Sequence, residues 1–430
     1  MNFSFVEDQS SANAMRKRIS TASRKLKYAK WIGYFAIIDL LFLPYFQLIV
    51  LPYSLPVLVL TMAWLKVPVR NDWYKKSFLI ISLCVSLSFL ISLTLRGSQP
   101  FIIENLKRVV QLSSSFIYFF YFRWLASKIT FQVNFILSAF ALWFFCLSLF
   151  FAIDPAFVLD WTRSIYGRLV TEEDVVFEHF RFAYLFSDPN TAIYFLLIAV
   201  APLLMQAEKK ITILLILFFI SVPLFLCQSR GGMISFVLMA IAANTSATTR
   251  SIFSPRRWFI VLMIVFVAYA VFLIFKRVAE SNFIVDLAYS RLFLDSDDEY
   301  GYGYGYVTAG GRDDIWNSIL LTYQMLPLGR GYKFDEFGPH SDFLRVIYSY
   351  GFIALPFLIW FLFNKILRLP QLVIPAVIAF TVNTLIDEQK LLALYLSLLA
   401  VYADFALTKT YIPAGRKGFS IDRSLTHVPR

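Results

Sequence analysis

Three short stretches of this chain join a charge or an imidazole to small residues that let a ligand come close. Arg230 stands in S-R-G-G at 229–232, followed by Gly231 and Gly232. Arg312 stands in G-G-R-D-D-I-W at 310–316, after Gly311 and before Trp316. His340 stands in P-H-S-D-F-L-R at 339–345. Both arginines fall at expected helix starts, where backbone N–H groups have no partner inside the helix. A guanidinium beside open amides suits phosphate, because it offers two parallel donors to two oxygens. Each arginine also has an ordinary reading. Arg230 could simply reach from a helix end to a membrane surface, and Arg312 could pair with Asp313 or a neighbouring acid. His340 follows a proline, a residue favoured at helix starts. The positive end of that helix disfavours an imidazolium. A neutral imidazole there can take a proton from a hydroxyl, a contribution of about 10²–10⁴-fold in rate; its ordinary reading is a polar cap. Asp342 and Arg345 are three apart and could pair on one helix face. Arg345 lies one turn inside an apolar run and needs a partner there.

Two arginines and a base fit one reaction. A pyrophosphate leaving group needs positive charge where negative charge develops, and an attacking hydroxyl must lose its proton. No nucleotide-binding P-loop occurs in the chain. The driving energy then has to reside in the substrate or in an ion gradient.

The elements that position these residues are membrane helices. The 430 residues are 59% hydrophobic and only 16% charged, against about 25% charged in a soluble domain. Apolar runs long enough to span a bilayer recur along nearly the whole length. The expected fold is an all-α polytopic membrane protein of about twelve transmembrane helices. They are placed near 31–49, 52–66, 77–95, 106–125, 132–153, 189–206, 211–227, 231–245, 257–275, 341–364, 370–387 and 391–408. Prolines at 44, 52 and 56 leave the 31–67 stretch open between a hairpin and one span with a re-entrant piece. Residues 1–30 form a basic segment without a cleavable signal, 31–408 the membrane domain, and 409–430 a tail. The net charge of +12 is mostly a positive-inside bias, with both termini cytoplasmic. The basic first segment could also touch anionic lipid. Nucleic acid is excluded as a partner on this topology. The three cysteines, Cys84, Cys146 and Cys227, lie far apart in apolar runs and suggest neither disulfides nor a metal site.

Two outer loops are long, about 154–188 and 276–340, and loops of that length usually bind something or serve as connectors. The second holds D-S-D-D-E-Y-G-Y-G-Y-G-Y at 295–306. Its tyrosines read best as a mobile spacer, though they could stack on sugars. Its acids read best as solvated rather than as a cation site.

The motifs together resemble the bacterial O-antigen polymerase/ligase superfamily. S-D-P-N-T-A at 187–192 is similar to its helix-opening n-P-N, S-R-G-G to its arginine–glycine turn, and G-G-R-D-D-I-W to its G-R-x-x-x-W. G-R-G-Y at 329–332, with Gly331 and Tyr332, resembles the glycine motif before its histidine. His340-Ser341, then nine residues and Gly351, resembles the histidine pattern itself. The resemblance implies a GT-C-like glycosyltransferase of the bacterial inner membrane, with its active site and two long loops periplasmic. It implies a donor glycan on undecaprenyl pyrophosphate, inversion, and no cofactor or divalent metal. Arg230 and Arg312 would bind pyrophosphate and His340 would be the base. Gly231, Gly232, Gly311, Trp316, Gly331, Tyr332, Asp342 and Arg345 would support them. The expected activity is polysaccharide polymerisation onto the next lipid-linked repeat unit, with a chain-length regulator and a flippase as candidate partners. The rivals are a ligase acting on a lipid A core, and a transporter or flippase of lipid-linked sugar.

Overall fold

Backbone polar groups inside lipid can pair only within helices or closed barrels, and this chain takes the first course. The structure, a computed structural model, describes residues 4–44, 51–95, 99–166, 181–184, 186, 188–245, 277, 312–332 and 341–403. Among the described residues every regular element is a helix. In order they are α1 (Ser4–Phe42), α2 (Ser54–Trp64), α3 (Trp73–Leu95), α4 (Gln99–Lys128), α5 (Asn134–Ile153), α6 (Pro155–Tyr166) and α7 (Pro189–Gln206). There follow α8 (Lys210–Cys227), α9 (Arg230–Thr245), α10 (Arg312–Thr322), α11 (Asp342–Tyr350), α12 (Ala354–Phe363), α13 (Pro370–Val382) and α14 (Gln389–Tyr402). Among the described residues four stretches, Trp73–Thr94, Asn134–Ile153, Pro189–Gln206 and Lys210–Cys227, are long and apolar enough to cross a membrane. Shorter apolar helices of 10–17 residues accompany them. This is the build of a membrane protein. The expected span at 257–275 lies outside the described residues.

Two helices form the centre. Residues 191–200 of α7 and 389–400 of α14 are buried without interruption, as a helix apolar on every side requires. α14 packs along α4, and α7 lies against α5, α8 and α13. α9 packs on α13, and α12 on α3.

Three departures from the expected helices matter for the site. The first apolar stretch breaks after Phe42, and α2 is only 11 residues, roughly 16 Å of rise against a ~30 Å hydrocarbon core. Buried side chains mend that break. Asp39 accepts the N–H of Ser54 at 2.6 Å. Lys390 donates to the carbonyls of Asp39 (3.0 Å), Leu43 and Pro44 (3.3 Å), so an ammonium sits on the orphan carbonyls at the end of α1. The expected helix at 341–364 is two helices. Gly351, at φ 89°, ends α11, and the N–H groups of Phe352 and Ile353 turn to the carbonyls of Leu326 and Pro327, each at 3.3 Å. The expected helix at 370–387 stops at Val382, and residues 383–388 form a non-helical linker. In the first outer loop, 155–166 is helical.

Candidate functional site

The 383–388 linker is the place where the motifs meet. Ser341, the residue after His340, opens α11: its hydroxyl accepts from Leu344 N–H at 3.5 Å and donates to Thr381 O at 2.7 Å. Asp342 N–H donates to Asn383 O at 3.1 Å, and its carboxylate accepts from the amides of Leu385 and Ile386. Those two amides would otherwise continue α13, so Asp342 is the physical reason that helix ends early.

The bent linker carries Asp387 toward α4 and α11. Its carboxylate pairs with Arg345 of α11 and, at 3.0 Å, with Arg108 of α4. Arg108 also donates to the Asp387 carbonyl at 2.7 Å. The Tyr332 hydroxyl donates to Asp387 Oδ1 at 2.6 Å and accepts from Arg345 at 3.2 Å. Both guanidinium carbons lie over the Tyr332 ring, 4.6 and 5.3 Å from its centre, within cation–π range. Burial alone would raise the Asp387 pKa, but Arg345 and Arg108, helped by Tyr332, outweigh it and hold the carboxyl at about 2. Burial, then the Asp387 carboxylate, pushes the Tyr332 hydroxyl far above the usual phenol range, so it remains a donor.

The glycine motif places Tyr332 there. Gly331 has φ 92°, and a β-carbon on it would sit 2.5 Å from Ser92 Cβ and 2.9 Å from Asn105 Oδ1. The Gly331 N–H donates to Ser349 O and to Ser88 Oγ, both at 3.0 Å. The Tyr332 N–H donates to Asn105 Oδ1 at 2.6 Å. Only a residue without a side chain lets the chain lie between α3, α4 and α11 in this way.

The other side of the linker meets α7, and Val382 just before it lies beside the start of α9. Asp188 caps α7, accepting from the N–H groups of Asn190 (2.9 Å) and Thr191 (3.3 Å), and Pro189 takes the first helical position. Thr191 Oγ1 lies 3.2 Å from Thr384 Oγ1. Arg230 is the first residue of α9 and is exposed. Of the two glycines after it, Gly232 has its amide taken up within the turn. Gly232 N–H donates to Ser229 Oγ at 3.1 Å, and a β-carbon on Gly231 would run into the Tyr194 hydroxyl. They serve close packing of α9 on α7. Behind this turn, buried Arg181 donates to Cys227 O (3.0 Å), Gln228 O (3.3 Å) and Asn190 Oδ1 (3.2 Å).

The structure thus brings the 188–191, 331–332 and 341–345 segments to one linker, and sets Gly231 of the 229–232 turn beside Val382, the last residue before it. Arg345 takes its ion pair from Asp387, and not from Asp342 as the three-residue spacing suggested. α10 begins at Arg312, and Trp316 packs with Ile319, Leu344, Ile347 and Tyr348, seating α10 on α11. The Arg312 side chain, Gly311 and His340 lie outside the described residues. Sequence reasoning missed Asp387, Arg108, Asn105 and Arg181. Asp387 and Glu388 between two apolar runs were the available signal for a break in the helix.

Comparison of the chain with family models, with curated proteins and with solved structures finds no match.

Proposed function

We propose that this protein is a membrane glycosyltransferase that polymerises lipid-linked glycan. It would transfer a growing chain from undecaprenyl pyrophosphate to the next lipid-linked repeat unit, with inversion at the anomeric carbon. Arg230 and Arg312 would hold the departing pyrophosphate, and His340 would take the proton of the attacking hydroxyl. The supporting observation is convergence. Segments far apart in sequence, 188–191, 331–332 and 341–345, touch the six residues 383–388 at one end of the bundle. A linker of that kind can hold a leaving group and a base in fixed relation, which is what general-base and electrostatic catalysis need.

The topology belongs to the same proposal: twelve spans, both termini cytoplasmic, and the converging end at the periplasmic face of a bacterial inner membrane. A flippase and a chain-length regulator of the same pathway would work beside it. The test is turnover by purified protein in nanodiscs supplied with lipid-pyrophosphate-linked repeat units. A ladder of longer lipid-linked glycans, lost in His340→Ala, is the expected result. Transfer only to an added lipid A core would make the protein a ligase. No product from substrate that a related enzyme accepts would end the glycosyltransferase reading.

A further inference from the structure

A polymerase of this kind handles two lipid pyrophosphates at once, and only one of them leaves. The acceptor keeps its own pyrophosphate, which needs a second place of positive charge. Resting on the polymerase reading, we propose that Arg108 and Arg345 form that second site and bind the pyrophosphate of the acceptor.

The cluster carries more positive charge than it needs for folding. Two guanidiniums from different helices share the single carboxylate of Asp387. On the Asp342 carboxylate of α11, Oδ2 accepts the amides of Leu385 and Ile386, and among the described residues neither arginine forms an ion pair with it. Among the described residues each arginine turns only Nη1 to the protein: Arg108 to Asp387, and Arg345 to Asp387 and Tyr332. Among the described residues no hydrogen bond uses Nε or Nη2 of either. Neither side chain is sealed off: that of Arg108 keeps 25% and that of Arg345 10% of its exposure. Two residues before Tyr332, the Arg330 Nε is buried without a hydrogen-bond partner, an arrangement that costs stability unless something binds there. Asp387 and the Tyr332 ring brace both guanidiniums, so little side-chain entropy is left to lose on binding.

The placement fits a two-substrate reaction. Thr384 faces the α7 side of the linker and Asp387 faces the arginine pair. Three residues of backbone separate them, roughly 11 Å at most. An acceptor held by its pyrophosphate at Arg108 and Arg345 would direct its far sugar hydroxyl along the linker toward the donor. Free pyrophosphate offers the same oxygens, so the test has to separate lipid-linked from free anion.

The experiment uses the full chain in nanodiscs and two readouts. The first is calorimetric titration with inorganic pyrophosphate. Wild type should bind two equivalents, and Arg108→Gln, which leaves Arg345 to neutralise Asp387, should lose one. The second is steady-state turnover with donor and acceptor varied separately. Arg108→Gln should raise the acceptor KM roughly 10- to 100-fold, the loss of charge-assisted bonds, and leave the donor KM unchanged. Arg108→Lys should recover only part of this. A wild-type acceptor KM in Arg108→Gln, with polymer still made, overturns the acceptor assignment and leaves the polymerase reading intact, even if free pyrophosphate binds. Two pyrophosphate sites, one lost in Arg108→Gln, in a protein that makes no polymer would keep the anion site and remove the polymerase reading. Pyrophosphate stoichiometry unchanged by Arg108→Gln overturns the site itself.

Discussion

Helix α4 touches both ends of the bundle, and the two ends treat polar groups differently. Arg108 and Arg123 are 15 residues apart on it, roughly 22 Å along the axis. At the Arg123 end the charges are matched one to one: Arg123 pairs with Asp72 at 2.6 Å, both side chains a quarter or more exposed. Nearby in kind, Asn134, Gln206 and Tyr402 close a ring across α5, α7 and α14. Asn134 and Gln206 exchange bonds of 2.6 and 3.0 Å, and the Tyr402 hydroxyl joins them at 3.0 and 3.1 Å. At the Arg108 end one carboxylate serves two arginines, and buried polar atoms of Gln228, Arg330, Asp342 and Asn383 have no hydrogen-bond partner among the described residues. Folding alone selects against that second arrangement. A protein retains it where a ligand completes the bonding, which separates an end built for stability from an end built for binding.

The largest expected effect is at Asp387. Asp387→Ala leaves the nearly buried Arg345 and the partly exposed Arg108 without their shared counter-charge, a loss of about 3–5 kcal/mol. Thermal unfolding in nanodiscs should show it as a large drop in Tm, together with loss of polymer. The same change at the matched end, Asp72→Ala, should cost less, about 1 kcal/mol, because it strands one partly exposed arginine and leaves no nearly buried one. Equal losses at the two ends would break the comparison. Acid provides a gentler version. With its folded pKa held at about 2, below the ~3.9 of an unfolded aspartate, Asp387 stabilises the fold fully above pH ~4. That contribution, about 2–3 kcal/mol, fades as the pH falls toward 2. The stability gap between wild type and Asp387→Asn should therefore be constant from pH 7 to pH 5 and narrow below pH 4.

Next in size is Gly331→Ala. At φ 92° with Ser92 2.5 Å from the would-be β-carbon, strain of roughly 1–3 kcal/mol is expected, and Tyr332 would be displaced from the arginine pair. Gly231→Ala should behave differently, because its obstacle is one hydroxyl, that of Tyr194. If this glycine serves packing, adding Tyr194→Phe should restore most stability and turnover. A double variant that folds well and stays inactive would return Gly231 to direct ligand contact.

Much of this was legible in the chain, and the exceptions share a cause. The start of α7 could be read from Asp188 and Pro189, because an acidic cap and a first-turn proline are local signals. The start of α10 at Arg312 followed from local apolar spacing. The linker was not legible. Residues 383–386 are N-T-L-I, apolar enough to extend a span, and what unwinds them is a carboxylate more than 40 positions earlier capturing two amides. Likewise the three-residue spacing of Asp342 and Arg345 predicted a pair. Each found a better partner across the fold, which a spacing rule cannot register. The glycines of S-R-G-G have the composition of an anion-binding turn, and only their neighbours across the fold, Tyr194 at Gly231 and Ile193 at Gly232, show how closely α9 lies on α7.

The smallest effect tests the quiet end. Tyr402→Phe removes one hydroxyl from the ring but leaves Asn134 and Gln206 bonded to each other through both amide contacts. The expected cost is about 1 kcal/mol, seen as a small fall in Tm. Polymer yield and both substrate KM values should stay within twofold, because α7 and α14 keep their buried faces and the linker at their other ends is untouched. The informative comparison is with Tyr332→Phe, which also deletes one tyrosine hydroxyl, here the one between Asp387 and Arg345. A similar fall in Tm with a much larger rise in acceptor KM would show that equal hydrogen bonds do unequal work at the two ends. Equal kinetic effects would mean that the unpartnered groups around the linker are a cost of folding and nothing more.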